Sequence, residues 1–323
     1  MLKVAIMKAL RPDARGLARA AAVIKRGGLA AFPTETVYGL GASAFDPAAA
    51  AGIFEAKGRP HFDPLIVHIS GLRQLRSVAA EVPPAAALLA RRFWPGPLTL
   101  VLKKRTSVPD IITSGLPTVA VRMPAHPVAV RLIKLTGPLA APSANRFGAL
   151  SPTTAEHVLR QLGPRGVIVI DGGPARHGIE STIVSFDRGR PVILRRGALP
   201  DAEIAAACGL RKVRLARPGA RVRAPGQFRT HYAPSVPLKL IKPGAAAAPR
   251  GAAYLAFRRR PEGEFRRVEV LSQSGDLREA AANLFSALHR LEMSGAKVIY
   301  AERVPARGLG LGILDRLRRA AAR

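Results

Sequence analysis

Cysteine is nearly absent from this 323-residue chain, where Cys208 stands alone. A single thiol excludes an internal disulfide and a cysteine-rich metal centre, and it suits a reducing compartment, the cytoplasm. Aromatic residues are also sparse, 5% in all with one tryptophan. That is too few for the stacking platforms with which proteins read single-stranded bases. No uninterrupted apolar run approaches the roughly 20 residues that span a bilayer, so no membrane partner is expected. The first residues carry an apolar patch broken by Lys3 and Lys8, with no small-residue cleavage site, and do not read as a signal peptide. A phosphate loop of the G-x-x-x-x-G-K-[ST] type is missing too. Acidic residues are in deficit, 21 against 51 Lys and Arg, for a net charge of +30. That excess fits anionic partners, weak tRNA or RNA binding among them, and it equally fits solvated charge spread over a surface.

What is present describes a globular α/β protein. Hydrophobic residues make up 48% of a chain long enough for two domains. Strand-like runs at 28–32, 65–69, 98–103, 118–122, 138–141, 166–170, 181–186 and 191–195 alternate with helical patterns at 14–26, 47–57, 84–93, 127–135 and 153–162. The later strands crowd together without helices between them, which predicts a twisted, mixed sheet rather than a purely parallel one. Thr153 with Glu156 has the spacing of a capping box for the fifth helix. Residues 211 to 235, rich in Arg, Pro and Gly, read as a linker between a domain at 1–210 and a smaller one at 236–323. In the latter, strands are expected near 237–241, 252–256, 267–271 and 297–302, with helices near 277–293 and 311–322. The run GLGLGI at 308–313 has the wrong spacing for a dinucleotide fingerprint and reads as a tight turn before the last helix.

One stretch concentrates chemistry-bearing residues. At 32–69 a strand ends in Pro33-Thr34-Glu35-Thr36, which places two hydroxyls and a carboxylate together. Asp46 and Pro47 then have the form of a helix start, and Lys57-Gly58 that of a helix end. Lys57 and Arg59 thus flank one turn with two cations. In the run Thr118 to Arg122, strand periodicity puts Thr118, Ala120 and Arg122 on one face. Arg122 there suits either a forked contact with a ligand carboxylate or a solvent-facing ion pair. Ser143 and Asn145 follow a strand end, where ligand sites and ordinary turns are both common.

Taken with FWPGPLTLVL (93–102), TVAVRMP (118–124), APSAN (141–145), IESTIV (179–184), ILRRGAL (193–199) and THYAP (230–234), the segment closely resembles the signature of YrdC-type threonylcarbamoyl-AMP synthases in their long, two-domain form. The resemblance implies a YrdC-like catalytic domain, a linker acting as a lid, and a small Rossmann-like α/β domain. It implies a nucleotidyltransferase that joins L-threonine, bicarbonate or CO2, and ATP into threonylcarbamoyl-AMP and pyrophosphate, with Mg²⁺ accompanying ATP and no organic cofactor. The product passes to a tRNA threonylcarbamoyl transferase, for modification next to the anticodon. By the same resemblance, L-threonine is held by Thr36, His68, Arg122, Ser143 and Ser181. ATP is held by Lys57, Arg59, Asp63, Thr118, Asn145, Thr153, Arg195 and Tyr232, with Lys57 and Arg59 stabilising developing charge. Asp63 departs from the asparagine usual there. The rival reading, an RNA-binding module without catalysis, needs only diffuse cations and leaves these ordered motifs unexplained.

Overall fold

The computed structural model describes residues 9–216, 231–244 and 250–322. Its first unit is built on ten strands: β1 (Ala30–Phe32), β2 (Gly39–Ser43), β3 (Ile66–His68), β4 (Leu98–Lys103), β5 (Thr118–Arg122), β6 (Leu139–Ala140), β7 (Ile168–Val169), β8 (Thr182–Asp187), β9 (Arg190–Arg195) and β10 (Arg214–Leu215). They lie in the order β10-β9-β8-β4-β5-β3-β6-β2-β1-β7. Parallel pairs such as β3–β5 and β4–β8 adjoin antiparallel ones such as β4–β5 and β8–β9, so the sheet is mixed as expected. Helices α1 (Ala14–Lys25), α2 (Pro47–Lys57), α3 (Leu72–Val78), α4 (Pro84–Phe93), α5 (Asp110–Thr113), α6 (Pro127–Thr136), α7 (Ala155–Leu162) and α8 (Asp201–Ala207) complete it.

Side-chain caps set the clearest helix ends. Asp46 accepts hydrogen bonds from the amides of Ala48 and Ala49 at 2.9 and 3.0 Å, and α2 stops at Gly58, whose φ of 60° is left-handed. The cap of α7 lies one residue beyond the expected capping box. Thr154, not Thr153, accepts from the His157 amide, and this frees the Thr153 hydroxyl for Ser286 at 2.7 Å. Strand β2 goes unannounced in the sequence because two glycines and an alanine give it no β-branched signature. Its composition has a steric cause: a Cβ on Gly41 would stand 2.7 Å from the ring of Phe32 on the neighbouring strand. Arg214 and Leu215 extend the large sheet beside β9 rather than opening a linker. The linker's Arg217, Arg221, Arg223 and Arg229 fall outside the described residues.

The second unit has a four-stranded sheet, β11 (Leu238–Ile241), β12 (Ala253–Ala256), β13 (Arg267–Val270) and β14 (Ile299–Glu302), with helices α9 (Leu277–Glu292) and α10 (Leu309–Ala320). All its strand pairs are parallel, in the order β11-β14-β12-β13, which matches a small Rossmann-like layer. Its apolar core continues into Val37, Leu150, Ile179 and Ala198 of the first unit. The run at 308–313 starts α10, and its glycines serve packing as well as the turn: a Cβ on Gly312 would lie 3.2 Å from the Gly197 carbonyl oxygen. At the opposing seam, a Cβ on Gly178 would lie 2.3 Å from the carbonyl oxygen of Ala281 in α9. Among the described residues no helix is long and apolar enough to cross a membrane.

Two histidines close the same contact. The rings of His157 (α7) and His289 (α9) stack 3.9 Å apart, and His289 Nε2 lies 3.2 Å from the Ser151 carbonyl oxygen. Burial, reinforced by the neighbouring ring, pushes His157 down to about 3, and burial pushes His289 down to about 4. An unfolded histidine titrates near 6.5, so below that pH the unfolded chain binds protons that the folded chain does not. Stability held above that pH is therefore lost progressively toward pH 4. Thermal unfolding from pH 7.5 to 4 is expected to show a falling midpoint below pH 6.5, and a shallower fall in His289→Gln.

Candidate functional site

Strand register explains why polar side chains converge at one edge of the large sheet. His68 ends β3, Arg122 ends β5, and the two are register partners; Thr99 on antiparallel β4 is partnered with Arg122 from the other side. The next strand, β8, runs parallel to β4 and starts just after Ser181, so Ser181 arrives at the same edge. Its hydroxyl meets that of Thr99 at 2.8 Å. The carboxyl ends of parallel strands are the usual ligand edge of α/β sheets, and here antiparallel neighbours add their amino ends to it.

These residues surround a small, partly open cavity of about 40 Å³. All five residues expected for the amino acid line it: Thr36, His68, Arg122, Ser143 and Ser181. Arg59, Arg195 and Tyr232 of the nucleotide set line it as well. Lys57, Asp63 and Asn145 stand directly behind that lining. The Lys57 Nζ donates to the carbonyls of Ser143 and Asn145 at 2.6 and 2.5 Å. Asp63 Oδ2 lies 2.8 Å from Arg59 Nη2. Two of the expected residues are elsewhere. Thr118 shares the face of Arg122 but opens the strand that Arg122 closes, so it pairs with Lys103 away from the cavity. Thr153 is engaged with Ser286 and His157 at the contact between the units.

Arg122 is not a bare fork. Its Nη2 contacts Glu35 Oε1 at 2.6 Å, Nη1 donates to the Thr36 hydroxyl at 2.7 Å, and Nε donates to the Gly96 carbonyl at 3.2 Å. Five N–H donors leave two for a ligand carboxylate. Burial alone would raise the Glu35 carboxyl, but Arg122 outweighs it and holds that group below the usual carboxylate range. His68, desolvated and close to Arg122, is held down to about 3 and is therefore neutral. Burial drives Lys57 far below its ordinary value, and the charge of Arg59 adds to the effect. Desolvation raises Asp63 to about 6 against the opposing pull of Arg59 and Lys57. The cavity is thus a desolvated, cation-rich enclosure that gains stability from an anion.

Part of the wall comes from the segment after the undescribed stretch. Tyr232 is buried with φ at 61°, a backbone region that non-glycine residues seldom occupy away from functional sites. His231 packs edge-on against Phe147 at 5.8 Å, and the Ala233 amide donates to the Gly148 carbonyl at 2.8 Å. Among the described residues, Asn145 Oδ1, His231 Nδ1 and the Tyr232 hydroxyl are buried without a hydrogen-bond partner. Such orphaned groups are expected where a polar ligand belongs. Sequence reasoning passed over Glu35, Thr99 and Glu180 in this site. The Thr-Glu-Thr turn held a signal for the first, since a carboxylate at a strand end beside hydroxyls is suited to pairing a cation. Nothing local marked the other two.

Residues 22–197 match a family of Sua5, YciO and YrdC proteins described as "Telomere recombination", and residues 200–322 match "Threonylcarbamoyl-AMP synthase, C-terminal domain". A threonylcarbamoyl-AMP synthase of Pyrococcus abyssi is 46% identical over 93% of this chain and 92% of its own length. One from Bacillus subtilis is 40% identical over 94% and 92% respectively. The crystal structure of P. abyssi Sua5 complexed with L-threonine superposes with a TM-score of 0.89 at 41% identity, covering 97% of this chain and 96% of that one. Matched along nearly its whole length in sequence and in both structural units, the chain belongs to the Sua5–YciO–YrdC family in its two-domain form.

Proposed function

We propose that this chain is an L-threonylcarbamoyladenylate synthase, a nucleotidyltransferase that condenses L-threonine, bicarbonate or CO2, and ATP and releases pyrophosphate. The observation that carries the reading is one desolvated cavity whose lining brings Arg122, Ser143 and Ser181 together with Arg59 and Arg195. The first group suits the carboxylate and hydroxyl of a small amino acid, the second the phosphates of a nucleotide. The adenylate serves a downstream transferase that places the threonylcarbamoyl group on tRNA beside the anticodon. A cytoplasmic setting accords with that use.

The chemistry asks little of the protein beyond position and charge. The threonine amine adds to CO2 to give a carbamate, whose oxygen attacks the α-phosphorus opposite the departing pyrophosphate. No protein nucleophile takes part. Arg122 and Thr36 orient the amino acid, neutral His68 keeps a second positive charge away from Arg122, and Glu35 fixes the guanidinium. Arg59 and Arg195 face the charge that develops on the phosphates, and Lys57, behind the lining, adds its charge to theirs and fixes the loop bearing Ser143 and Asn145. Asp63 Oδ2 pairs with Arg59, while Oδ1 is buried without a partner, so Asp63 is the carboxylate that would hold a Mg²⁺ ion brought in by the nucleotide. When bound, that ion neutralises phosphate charge. His231 and Tyr232 keep water from the carbamate and the mixed anhydride, both of which hydrolyse readily.

The first test is a pyrophosphate assay with ATP, Mg²⁺, threonine and bicarbonate, with mass spectrometry of the product. Pyrophosphate release is expected to depend on threonine and bicarbonate; release that persists without threonine contradicts the reading. A second test uses Arg122→Lys. An ammonium cannot both hold Glu35 and present donors to a carboxylate, and charged hydrogen bonds contribute about 1.5–3 kcal/mol each. The expected outcome by calorimetry is threonine binding weakened on the order of tenfold or more, with ATP binding changed less than about threefold on the same scale. Equal losses for both ligands assign Arg122 to structure alone.

A further inference from the structure

Thr99 lies on β4 and is completely buried, 0% exposed. Along that strand Leu98, Leu100 and Leu102 belong to the main core, while Val101 packs in a small apolar group with Ile66, Ala120 and Ile183. Strand alternation puts Thr99 on the side of Val101, between its register partners Arg122 of β5 and Ile183 of β8. In such surroundings a valine has the same shape and no hydroxyl to satisfy, so packing does not explain the hydroxyl. Among the described residues its one hydrogen-bond partner is the Ser181 hydroxyl at 2.8 Å.

The proton inventory of the two hydroxyls fixes which one donates. Each has one O–H and two acceptor lone pairs. Thr99 is shut off from water, and a buried O–H left without an acceptor is costly. The Ser181 oxygen is its only acceptor, so Thr99 donates. Arg195 Nη2 donates to the same oxygen at 3.3 Å. Both lone pairs of Ser181 are then taken, and its own proton is left for the cavity that Ser181 lines.

Thr36, in the same lining, comes out the opposite way. Thr34 Oγ1 donates to the Val37 carbonyl at 2.6 Å, which uses its only proton. The Thr34–Thr36 contact at 2.9 Å is therefore donated by Thr36, and Arg122 Nη1 donates to Thr36 at 2.7 Å. What Thr36 keeps for a ligand is a lone pair. The cavity thus carries an acceptor at Thr36 and a donor at Ser181, a polarity that matches the amine and the carboxylate of one amino acid.

We propose that Thr99 is a positioning residue for the amino acid: its hydrogen bond commits the Ser181 hydroxyl to donate, and the acceptor that Ser181 meets is the substrate carboxylate. An ionised carboxylate can only accept, so a hydroxyl locked as donor suits it, whereas a ligand hydroxyl turns to suit either partner and needs no such lock. The inference rests on the adenylate-forming reading and adds to it a residue that does not line the cavity. Without Thr99 the Ser181 O–H rotates among other orientations, and ordering it again weakens binding.

The test is a double-mutant cycle read by calorimetric titration of the full-length protein with L-threonine. Thr99→Val is expected to bind L-threonine about fivefold more weakly, equivalent to about 1 kcal/mol. Thr99→Ser, which keeps the hydroxyl, is expected to stay within about twofold of wild type on that scale. In the Ser181→Ala background, where no hydroxyl remains to be set, Thr99→Val is expected to bring no further loss. A merely structural role predicts additive losses, and these overturn the proposal, as does unchanged L-threonine affinity in Thr99→Val. L-2-Aminobutyrate keeps the carboxylate and lacks the hydroxyl, and Thr99→Val is expected to weaken its binding by the same factor. A loss confined to L-threonine places the contact on the substrate hydroxyl and overturns the carboxylate assignment. Should Thr99→Val fail to fold, Thr99→Ala removes the same hydroxyl and carries the cycle with the same expected pattern. A wild-type protein that binds no L-threonine removes the adenylate reading as well; a wild type that binds it, with Thr99→Val no weaker, removes only the role of Thr99.

Discussion

Five basic side chains, Lys57, Arg59, Arg122, Arg195 and Arg316, lie beneath the surface around one cavity, each less than 7% exposed. Three carboxylates face them, Glu35, Asp63 and Glu180. Taking a charge out of water costs several kcal/mol even after relaxation, and the neighbouring loops are shaped by this constraint. The carbonyls of Ser143 and Asn145 turn inward to Lys57, those of Asp63 and Pro64 to Arg59, that of Ser181 to Arg195 and that of Gly96 to Arg122. The turn after β6 and those before β3, β4 and β8 are therefore fixed by the cations they solvate. By formal charge the cluster stays positive, which makes an anionic ligand the missing part of the electrostatics rather than an addition to it.

The same constraint separates what the sequence disclosed from what it concealed. Helices with capping side chains, such as α2 behind Asp46 and α9 behind Asp276, were legible because a local hydrogen bond writes their start into the chain. Helices α3, α5 and α8, of seven, four and seven residues and without a side-chain cap, were not anticipated, whereas α4 and α10, equally uncapped but longer, were legible from their apolar periodicity. Among the site residues, Thr36, His68, Arg122, Ser143 and Ser181 meet at the cavity, while Thr118 stands at the other end of its strand, because sharing a strand face says nothing about which end of the strand meets the cavity. Thr153 yielded to a partner on the second unit, and the cap moved to Thr154. Partnerships between distant residues, Arg122 with Glu35 and Arg316 with Glu180, were invisible because each half looks like an ordinary charged residue until the fold pairs them.

The two units are bound through polar and apolar contacts of different kinds. Tyr232 belongs to the apolar core of the second unit while lining the cavity of the first. Its strained backbone and its unpartnered hydroxyl place it among residues held by their surroundings rather than by their own preference. The second unit thus reaches the chemistry without contributing a residue of its own sheet to the cavity.

The glycine seam has a bearing on how such proteins can be recombined. At Gly178 the backbone of the first unit passes so close to α9 that a methyl group would stand 2.3 Å from a carbonyl oxygen, and φ there is +69°. Apolar surfaces tolerate exchange because side chains repack, but two main chains in contact have nothing to repack. A recipient with any other residue at 178 will not seat a C-terminal unit in this way, whereas at 312 a methyl group asks only a few tenths of an ångström of its neighbours. Chimeras cut in the intervening linker therefore depend on the recipient's glycine at 178 for the docked state.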